Sequence, residues 1–267
     1  MTAVSSIIVA AAILSLLMAA AWFVQRRTGQ SGWADVFWSF AVGIGGIIVT
    51  AVPHVATSPI RVGMVTLMVA CWSLRLGFHI LSRTASAAAE DPRYADLRRS
   101  WGDRFQMRIF LFLQIQALCG LGLVVTVFVA AHRPGAAPSF ADIAGVALLI
   151  AAVAGEGIAD YQLRRFSADP ANRGRVCDVG LWGWSRHPNY FFEWLAWLAY
   201  PIIAVDLSGG WWQGWLAFIG PAMMYWLLVY ASGIPPLEAH MLKSRGDAFR
   251  AYVRRTSAFF PLPPRKD

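Results

Sequence analysis

Seven apolar stretches, each about 20 residues long, constrain the fold of this chain more than any other feature. They cover roughly residues 3–24, 33–52, 60–82, 108–131, 139–161, 188–206 and 211–232. A helix of that length crosses about 30 Å of hydrocarbon. We therefore predict an all-α polytopic membrane bundle of about seven transmembrane helices, forming one membrane domain over 1–267. The first stretch lacks a basic leading region and exceeds the apolar part of a typical signal peptide, so we interpret it as a transmembrane helix.

The composition agrees with this interpretation. The mean hydropathy is +0.51, apolar residues make up 57% of the chain and charged residues only 14%, against about 25% charged in soluble domains. The 13 Trp and 16 Phe residues fit aromatic belts at two membrane interfaces. The three cysteines form no CxxC pair, so the sequence supports neither a zinc site nor a disulfide framework.

The basic residues are spread unevenly over the predicted connections. Twenty of the 23 Lys and Arg residues follow the first, third and fifth stretches or lie in the tail, whereas the opposite side carries only Arg61 and Arg133. The positive-inside rule then places the N-terminus outside and the C-terminus inside the inner (cytoplasmic) membrane. The net charge of +8 is thereby explained by topology, and we expect no nucleic-acid partner.

The long connections 83–107, 162–187 and 233–267 all fall on the predicted cytoplasmic side, whereas the outer connections, about 53–59, 132–138 and 207–210, are short. Chemistry on a soluble ligand is therefore expected at the cytoplasmic face. The tail over 236–256 has apolar residues at roughly helical spacing, with Arg and Lys on its other faces. This pattern predicts a C-terminal amphipathic helix, which either lies on the anionic leaflet or covers a cytoplasmic pocket.

Polar side chains inside the apolar stretches, most of them ionisable, come in pairs four residues apart, which places each pair on one helix face. They occur near the predicted cytoplasmic ends, at Arg75 and His79, at Glu156 and Asp160, and at Asn189 and Glu193. Because such groups are expensive in lipid, they usually face the bundle interior and mark function. The alternative is a structural ion-pair network that ties the helices together.

The segment LWGWSRHPNYFFEW, residues 181–194, is the most specific motif. Pro188 suits the first turn of a helix and Ser185 is a plausible cap in the preceding turn. A helix N-terminus favours anions, and an Arg beside it indicates a site for phosphate or carboxylate. The polar residues that crowd this point are Arg186, His187 and Asn189. The alternative is a simple helix cap with an arginine at the membrane interface.

Four further arginines precede this motif, at Arg164, Arg165, Arg173 and Arg175. Arginine reads phosphate with a planar, bidentate fork. A dinucleotide with an extra phosphate would use several of them, although they could also serve topology alone.

At this point the sequence resembles a known family. The segments DVFWSF (35–40), EDPRYADLRRSWG (90–102), GLWGWSRHPNYFFEWLAWLAY (180–200) and SGIPPLEAHML…RGDAFRAYVRRTSAFFPLPP (232–264), with Asp160-Tyr161, are similar to the bacterial branch of the steroid 5-alpha-reductase-like membrane proteins, the DUF1295 group. The superfamily also contains sterol reductases, isoprenylcysteine carboxyl methyltransferases and phospholipid methyltransferases.

The resemblance implies a cofactor, NADPH, in a cytoplasm-facing cavity of the C-terminal helices, and hydride transfer to the β-carbon of a lipidic enone that enters from the bilayer. It assigns 1–131 to the substrate side and 132–267 to the cofactor side. The residues it implies for the cofactor are Asp160, Asn189 and Glu193, then Arg186 and Tyr190, then Glu238, Tyr252 and Arg255 in the tail. His187, which lies between them at the helix N-terminus, is also expected to bind the cofactor. Arg164, Arg165 and Arg173 are expected to contribute to phosphate binding.

The substrate side departs from the family pattern. The steroid enzymes carry a Glu on the second span and a Tyr on the third, where this chain has Asp35 on the second span and Arg75 and His79 on the third. We predict His79 as the general acid, because its pKa is nearest the working pH. Arg75 and Tyr94 are the other catalytic candidates.

Three other functions remain open. The first is a methyltransferase on the same scaffold with S-adenosylmethionine, which carries no phosphate and so would not need the arginines. The second is a channel or transporter, although the polar residues cluster at one face of the membrane. The third is a lipid-binding or assembly protein with a structural polar cluster. The sequence does not indicate the oligomeric state.

Overall fold

The computed structural model describes residues 2–52, 57–87 and 89–265, and over these residues the chain is helical without a β-strand. This confirms the predicted all-α class. Residues 53–56 of the predicted outer connection and Lys266 of the basic tail lie outside the described residues. The helices are α1 (Ala3–Thr28), α2 (Trp33–Thr50), α3 (Pro59–Ala85), α4 (Pro92–Trp101), α5 (Phe105–Ala131), α6 (Phe140–Ala168), α7 (Pro188–Ala204), α8 (Ile219–Trp226) and α9 (Ile234–Arg255).

Six helical segments in the described part of the chain are long and apolar enough to cross a membrane. They are Ala3–Thr28, Trp33–Thr50, Pro59–Ala85, Arg93–Ala131, Phe140–Ala168 and Trp212–Arg255. Helix α7 corresponds to the sixth predicted stretch, has 17 residues and contains Pro201. The protein is therefore a helical membrane protein with six or seven spans.

The seventh predicted stretch is not one regular helix. It begins as a 3₁₀ helix at Trp212–Phe218, continues as α8 and ends in a π-helical turn at Leu227–Ala231. The backbone N–H of Ser232 donates to the carbonyl of Leu227, five residues earlier, at 2.9 Å, which widens that last turn. The close backbone packing after this turn requires glycine at position 233, because a Cβ there would stand 2.4 Å from the Leu228 carbonyl oxygen.

The residues pack as two compact units. Unit 1 contains 1–146 and 200–220, and unit 2 contains 147–199 and 221–267. The core of unit 1 lies among α1, α2, α3 and α5, where Leu14, Val42 and Leu123 are fully buried. The sequence predicted one membrane domain with a substrate side and a cofactor side, and that division stays a prediction.

An ion pair with no solvent exposure on either side chain holds one end of unit 1. The Nε of Arg61 donates to Asp142 Oδ1 at 2.7 Å, and its Nη2 donates to Asp142 Oδ2 at 2.9 Å. The remaining guanidinium N–H groups donate to carbonyls of the 133–136 loop, at Arg133, Gly135 and Ala136. A buried charge is tolerated when it is fully paired in this way.

Unit 2 has an aromatic core that joins the end of the chain to α7 and α8. Phe191 and Trp194 of α7 contact Phe259, with ring centroids 5.9 and 5.7 Å apart. Tyr225 of α8 contacts the same ring at 5.3 Å. Edge-to-face pairs of this kind add to the burial of apolar area. The segment after α9 is therefore packed against this core.

The predicted tail helix is present as α9, Ile234–Arg255. It bends at Gly246, whose φ of 52° is left-handed and strained for any residue with a Cβ. Phe249 and Tyr252, beyond the bend, are buried within unit 2. Met241 and Arg245 of α9 line a cavity that is described below.

Candidate functional site

Unit 2 contains three buried acids and one amide on α6 and α7, which we call the acid–amide cluster. Glu156 and Asp160 lie one turn apart on α6, and Asn189 and Glu193 lie one turn apart on α7. The three acids are only 5–6% exposed. The amide nitrogen of Asn189 donates to Asp160 Oδ1 at 3.4 Å, and Trp197 Nε1 donates to Glu193 Oε1 at 3.1 Å. The sequence predicted each polar pair on its own helix face, and the structure places these two faces in contact.

Helices α6 and α7 meet closely because of a small residue on α6. A Cβ at Gly155 would stand 2.4 Å from the ring of Phe192, so only glycine admits this ring without a shift. The 3₁₀ turn before α7 also docks on α6, since Trp182 Nε1 donates to the Ala159 carbonyl at 3.0 Å and Gln162 Oε1 accepts from the Leu181 N–H at 2.9 Å. These contacts set the position of the acid–amide cluster.

The motif at the start of α7 pairs with α9 through Glu238. The Nε and Nη2 of Arg186 donate to the two oxygens of Glu238 at 2.8 and 3.2 Å. Arg186 Nη1 donates to the Thr256 carbonyl at 2.6 Å. The sequence predicted that this guanidinium binds an anion. In the structure most of its N–H groups donate hydrogen bonds within the protein. Arg186 joins the start of α7 to both ends of α9.

His187 is the second partner of Glu238, with Nε2 2.9 Å from Glu238 Oε1. Burial lowers the pKa of His187, and the hydrogen bond and charge of Glu238 offset this only partly. The imidazole is therefore neutral at pH 7 and donates from Nε2. Its Nδ1 is buried without a hydrogen-bond partner among the described residues, and its ring stacks on Tyr190 at a centroid distance of 5.5 Å.

The other predicted tail residues fasten α9 to the loop before α7. The hydroxyl of Tyr252 donates to the Trp182 carbonyl, and Arg255 forms an ion pair with Asp178. The hydroxyl of Ser185, predicted as a cap, accepts from the His187 N–H at 3.1 Å and donates to the Phe259 carbonyl at 2.8 Å. Glu238, Tyr252 and Arg255 thus lie near the motif, and each has a partner within the protein. The role in cofactor binding that the resemblance implies for them stays a prediction.

The basic connection between α6 and α7 borders an open cavity of about 560 Å³. Arg173 and Arg175 line it, whereas Arg164 and Arg165 do not and are exposed on the last turns of α6. The sequence missed a third arginine of this cavity, Arg245, because α9 was interpreted as a uniformly amphipathic helix. Its position directly before Gly246, where the helix bends, was the available signal.

The predicted catalytic residues lie in unit 1. Arg75 and His79 are half-buried on α3. Tyr94, on α4, is buried, and its hydroxyl donates to Asp35 Oδ1 at 3.0 Å. Arg93 donates to the other oxygen of Asp35 at 2.7 Å. Asp35 and Tyr94 are therefore in contact in this chain. The steroid enzymes carry their tyrosine on the third span, whereas Tyr94 lies on α4, after that span.

The helices and the buried acid–amide cluster define a polytopic helical membrane protein with a polar centre in unit 2. A family model described as "Protein of unknown function (DUF1295)" matches residues 21–256, and the chain belongs to this family. No curated protein and no solved structure matches the chain.

Proposed function

We propose that this protein is an integral-membrane reductase that uses NADPH to reduce a conjugated C=C bond in a lipidic enone, steroid-like or isoprenoid. The observation that carries the proposal is the contact between Asp160 and Asn189. The resemblance implies that both bind the cofactor, and they are neighbours in space although 29 positions apart in the chain.

The chemistry of this cluster suits the carboxamide of a nicotinamide ring. That group presents an NH₂ donor and a carbonyl acceptor, and an Asn side chain offers the complementary pair. The carboxylates of Asp160 and Glu193 can accept the NH₂ hydrogens. The close packing of α6 and α7 at Gly155 holds these groups in fixed positions, which favours recognition of one ring orientation.

When bound, NADPH supplies a hydride to the β-carbon of the enone. The negative charge that develops on the carbonyl oxygen requires a positioned donor, and the α-carbon then takes a proton. His79 is the predicted general acid, with Arg75 and Tyr94 as the other candidates. On the predicted topology, the lipidic substrate enters from the bilayer and the cofactor from the cytoplasm.

One observation favours a methyltransferase as the second candidate. Three buried carboxyl groups, Glu156, Asp160 and Glu193, lie on the facing helices α6 and α7. Such a cluster suits a cationic ligand, and S-adenosylmethionine carries a sulfonium and an ammonium group. The two candidates differ in the ligand that stabilises the protein.

The test is thermal unfolding of the protein in mild detergent with NADPH, NADH or S-adenosylmethionine. A ligand that binds only the folded state stabilises it by about 2.7 kcal/mol at a hundredfold excess over its dissociation constant. The reductase predicts stabilisation by NADPH that Asp160→Asn reduces. The control is Asp247→Asn, on a side chain 95% exposed in α9. Stabilisation by S-adenosylmethionine alone would replace the reductase with the methyltransferase, and no stabilisation by any of the three would overturn both.

A further inference from the structure

The cavity between the α6–α7 connection and α9 carries an excess of positive charge. Its charged lining consists of Arg173, Arg175 and Arg245 against a single acid, Asp169. Asp169 Oδ1 already accepts the N–H of Ala171 at 2.9 Å and caps the 3₁₀ turn Pro170–Asn172. The charged side chains that line the cavity are therefore mainly cationic.

Arg245 lacks the partners that most half-buried arginines have. Its Nε is buried and has no hydrogen-bond partner within the described part of the chain. Among the described residues, its Nη1 donates only to the carbonyl of the preceding residue, Ser244, at 3.5 Å. A buried N–H of a charged group without an acceptor is costly. A ligand oxygen in the cavity would remove that cost.

Several apolar side chains in the remaining lining suit the less polar part of a ligand. Leu163 and Phe166, on the last turns of α6, and Met241 of α9 line the cavity. The volume of about 560 Å³ lies within the range of about 300–1,000 Å³ typical of small-molecule sites. An aromatic base with an attached phosphate matches both the apolar walls and the arginines.

We propose that this cavity binds the phosphorylated adenosine end of the nicotinamide dinucleotide, and that Arg245, with Arg173 and Arg175, reads its 2′-phosphate. The inference rests on the proposed function and extends it, because it assigns the selectivity for NADPH over NADH to three named residues. It also divides the four arginines that precede the α7 motif into two pairs, of which only Arg173 and Arg175 line the cavity. Arg164 and Arg165, which lie outside the cavity, take no part.

The experiment measures the dissociation constants of NADPH, NADH and adenosine 2′,5′-bisphosphate for the full chain in phosphatidylcholine nanodiscs. Arg245→Ala, Arg173→Ala and Arg175→Ala are compared with Arg164→Ala and Arg165→Ala, which remove the same charge from the exposed last turns of α6. Each cavity substitution should weaken NADPH and the bisphosphate about tenfold or more. NADH and both controls should be unchanged. Arg173 and Arg175 are exposed, so their variants test the site without disturbing the fold.

Three results would overturn the inference. Equal binding of NADPH and NADH by the wild type would remove the 2′-phosphate site but leave a nicotinamide reductase standing. Equal losses in the Arg164→Ala or Arg165→Ala controls would mean that general charge attracts the nucleotide. Loss of bisphosphate binding in phosphatidylglycerol nanodiscs, but not in phosphatidylserine nanodiscs of the same surface charge, would mean that a lipid headgroup occupies the cavity. If NADPH and NADH both fail but the bisphosphate binds and Arg245→Ala abolishes it, the phosphate site stands and the reductase does not.

Discussion

The buried pair of Arg61 and Asp142 can be tested by removing its partners one at a time. Neither side chain has any solvent exposure. Besides the bidentate contact, Asp142 Oδ2 accepts the N–H and the hydroxyl of Ser139 at 2.7 and 2.9 Å. All of the polar groups in the pair are therefore satisfied within the protein.

Arg61→Met keeps the volume of the side chain and removes its charge and donors. The Asp142 carboxylate then stays buried without a counter-ion. The carbonyl groups of the 133–136 loop also lose the hydrogen bonds that Arg61 donates to them. Breaking a buried pair in this way costs about 3–5 kcal/mol. At about 2–4 °C per kcal/mol for a chain of this size, the melting temperature falls by about 6–20 °C. The assay is thermal unfolding in detergent, followed by circular dichroism or intrinsic tryptophan fluorescence.

The double variant Arg61→Met/Asp142→Leu supplies the decisive comparison. It should melt above Arg61→Met alone, because it no longer buries an unpaired carboxylate. The matched control is Arg250→Met in the surface pair with Asp247, where the side chains are 62% and 95% exposed and solvent screens the charges. A melting temperature for Arg61→Met that matches this control would refute the buried pair.

Two further predictions concern unit 2. Because the pKa of His187 is lowered in the folded protein, its contribution to stability is complete above about pH 6.5 and is lost as the pH falls from there toward the lower folded-state pKa. The melting temperature of the wild type should drop more between pH 7.5 and pH 5 than that of His187→Gln, and parallel curves would contradict the assignment. Gly155→Ala should destabilise the protein by about 1–3 kcal/mol, since its Cβ meets Phe192. Gly157→Ala, two residues along the same helix with nothing within 4 Å, should stabilise it by about 0.5–1 kcal/mol, and equal shifts in chemical denaturation would show that α6 and α7 do not meet at Gly155.

The helices were predictable because each is specified by its own residues. Hydropathy alone located α1, α2, α3, α5 and α6 to within a few residues at most ends, and apolar spacing located α9. The irregular segment 212–231 was predicted as one span because its composition is apolar throughout, whereas the change from 3₁₀ to α to π geometry depends on hydrogen bonds that composition does not encode. The bend at Gly246 was missed for the same reason.

The candidate site was predictable in part. Pairs such as Glu156 with Asp160 share one helix face by spacing alone, so each half of the acid–amide cluster could be identified from the sequence. The sequence did not indicate that the polar face of α6 packs against the polar face of α7. Arg186 illustrates the limit, because its place beside a helix N-terminus indicated an anion, and the acceptor in the structure is Glu238, 52 positions away.

The sequence by itself determined that this chain is a helical membrane protein and which helix faces carry polar groups, since hydropathy, charge and periodicity are local properties of about 20 residues. Tertiary structure decided which of those groups meet. Arg61 counted only as a basic residue of the outer side, yet packing buries it against Asp142, 81 positions away. Arg245 counted as one more basic residue of the tail, yet the fold places it in a cavity with Arg173 and Arg175. Such pairings depend on how helices pack, and that arrangement minimises the free energy of the whole chain.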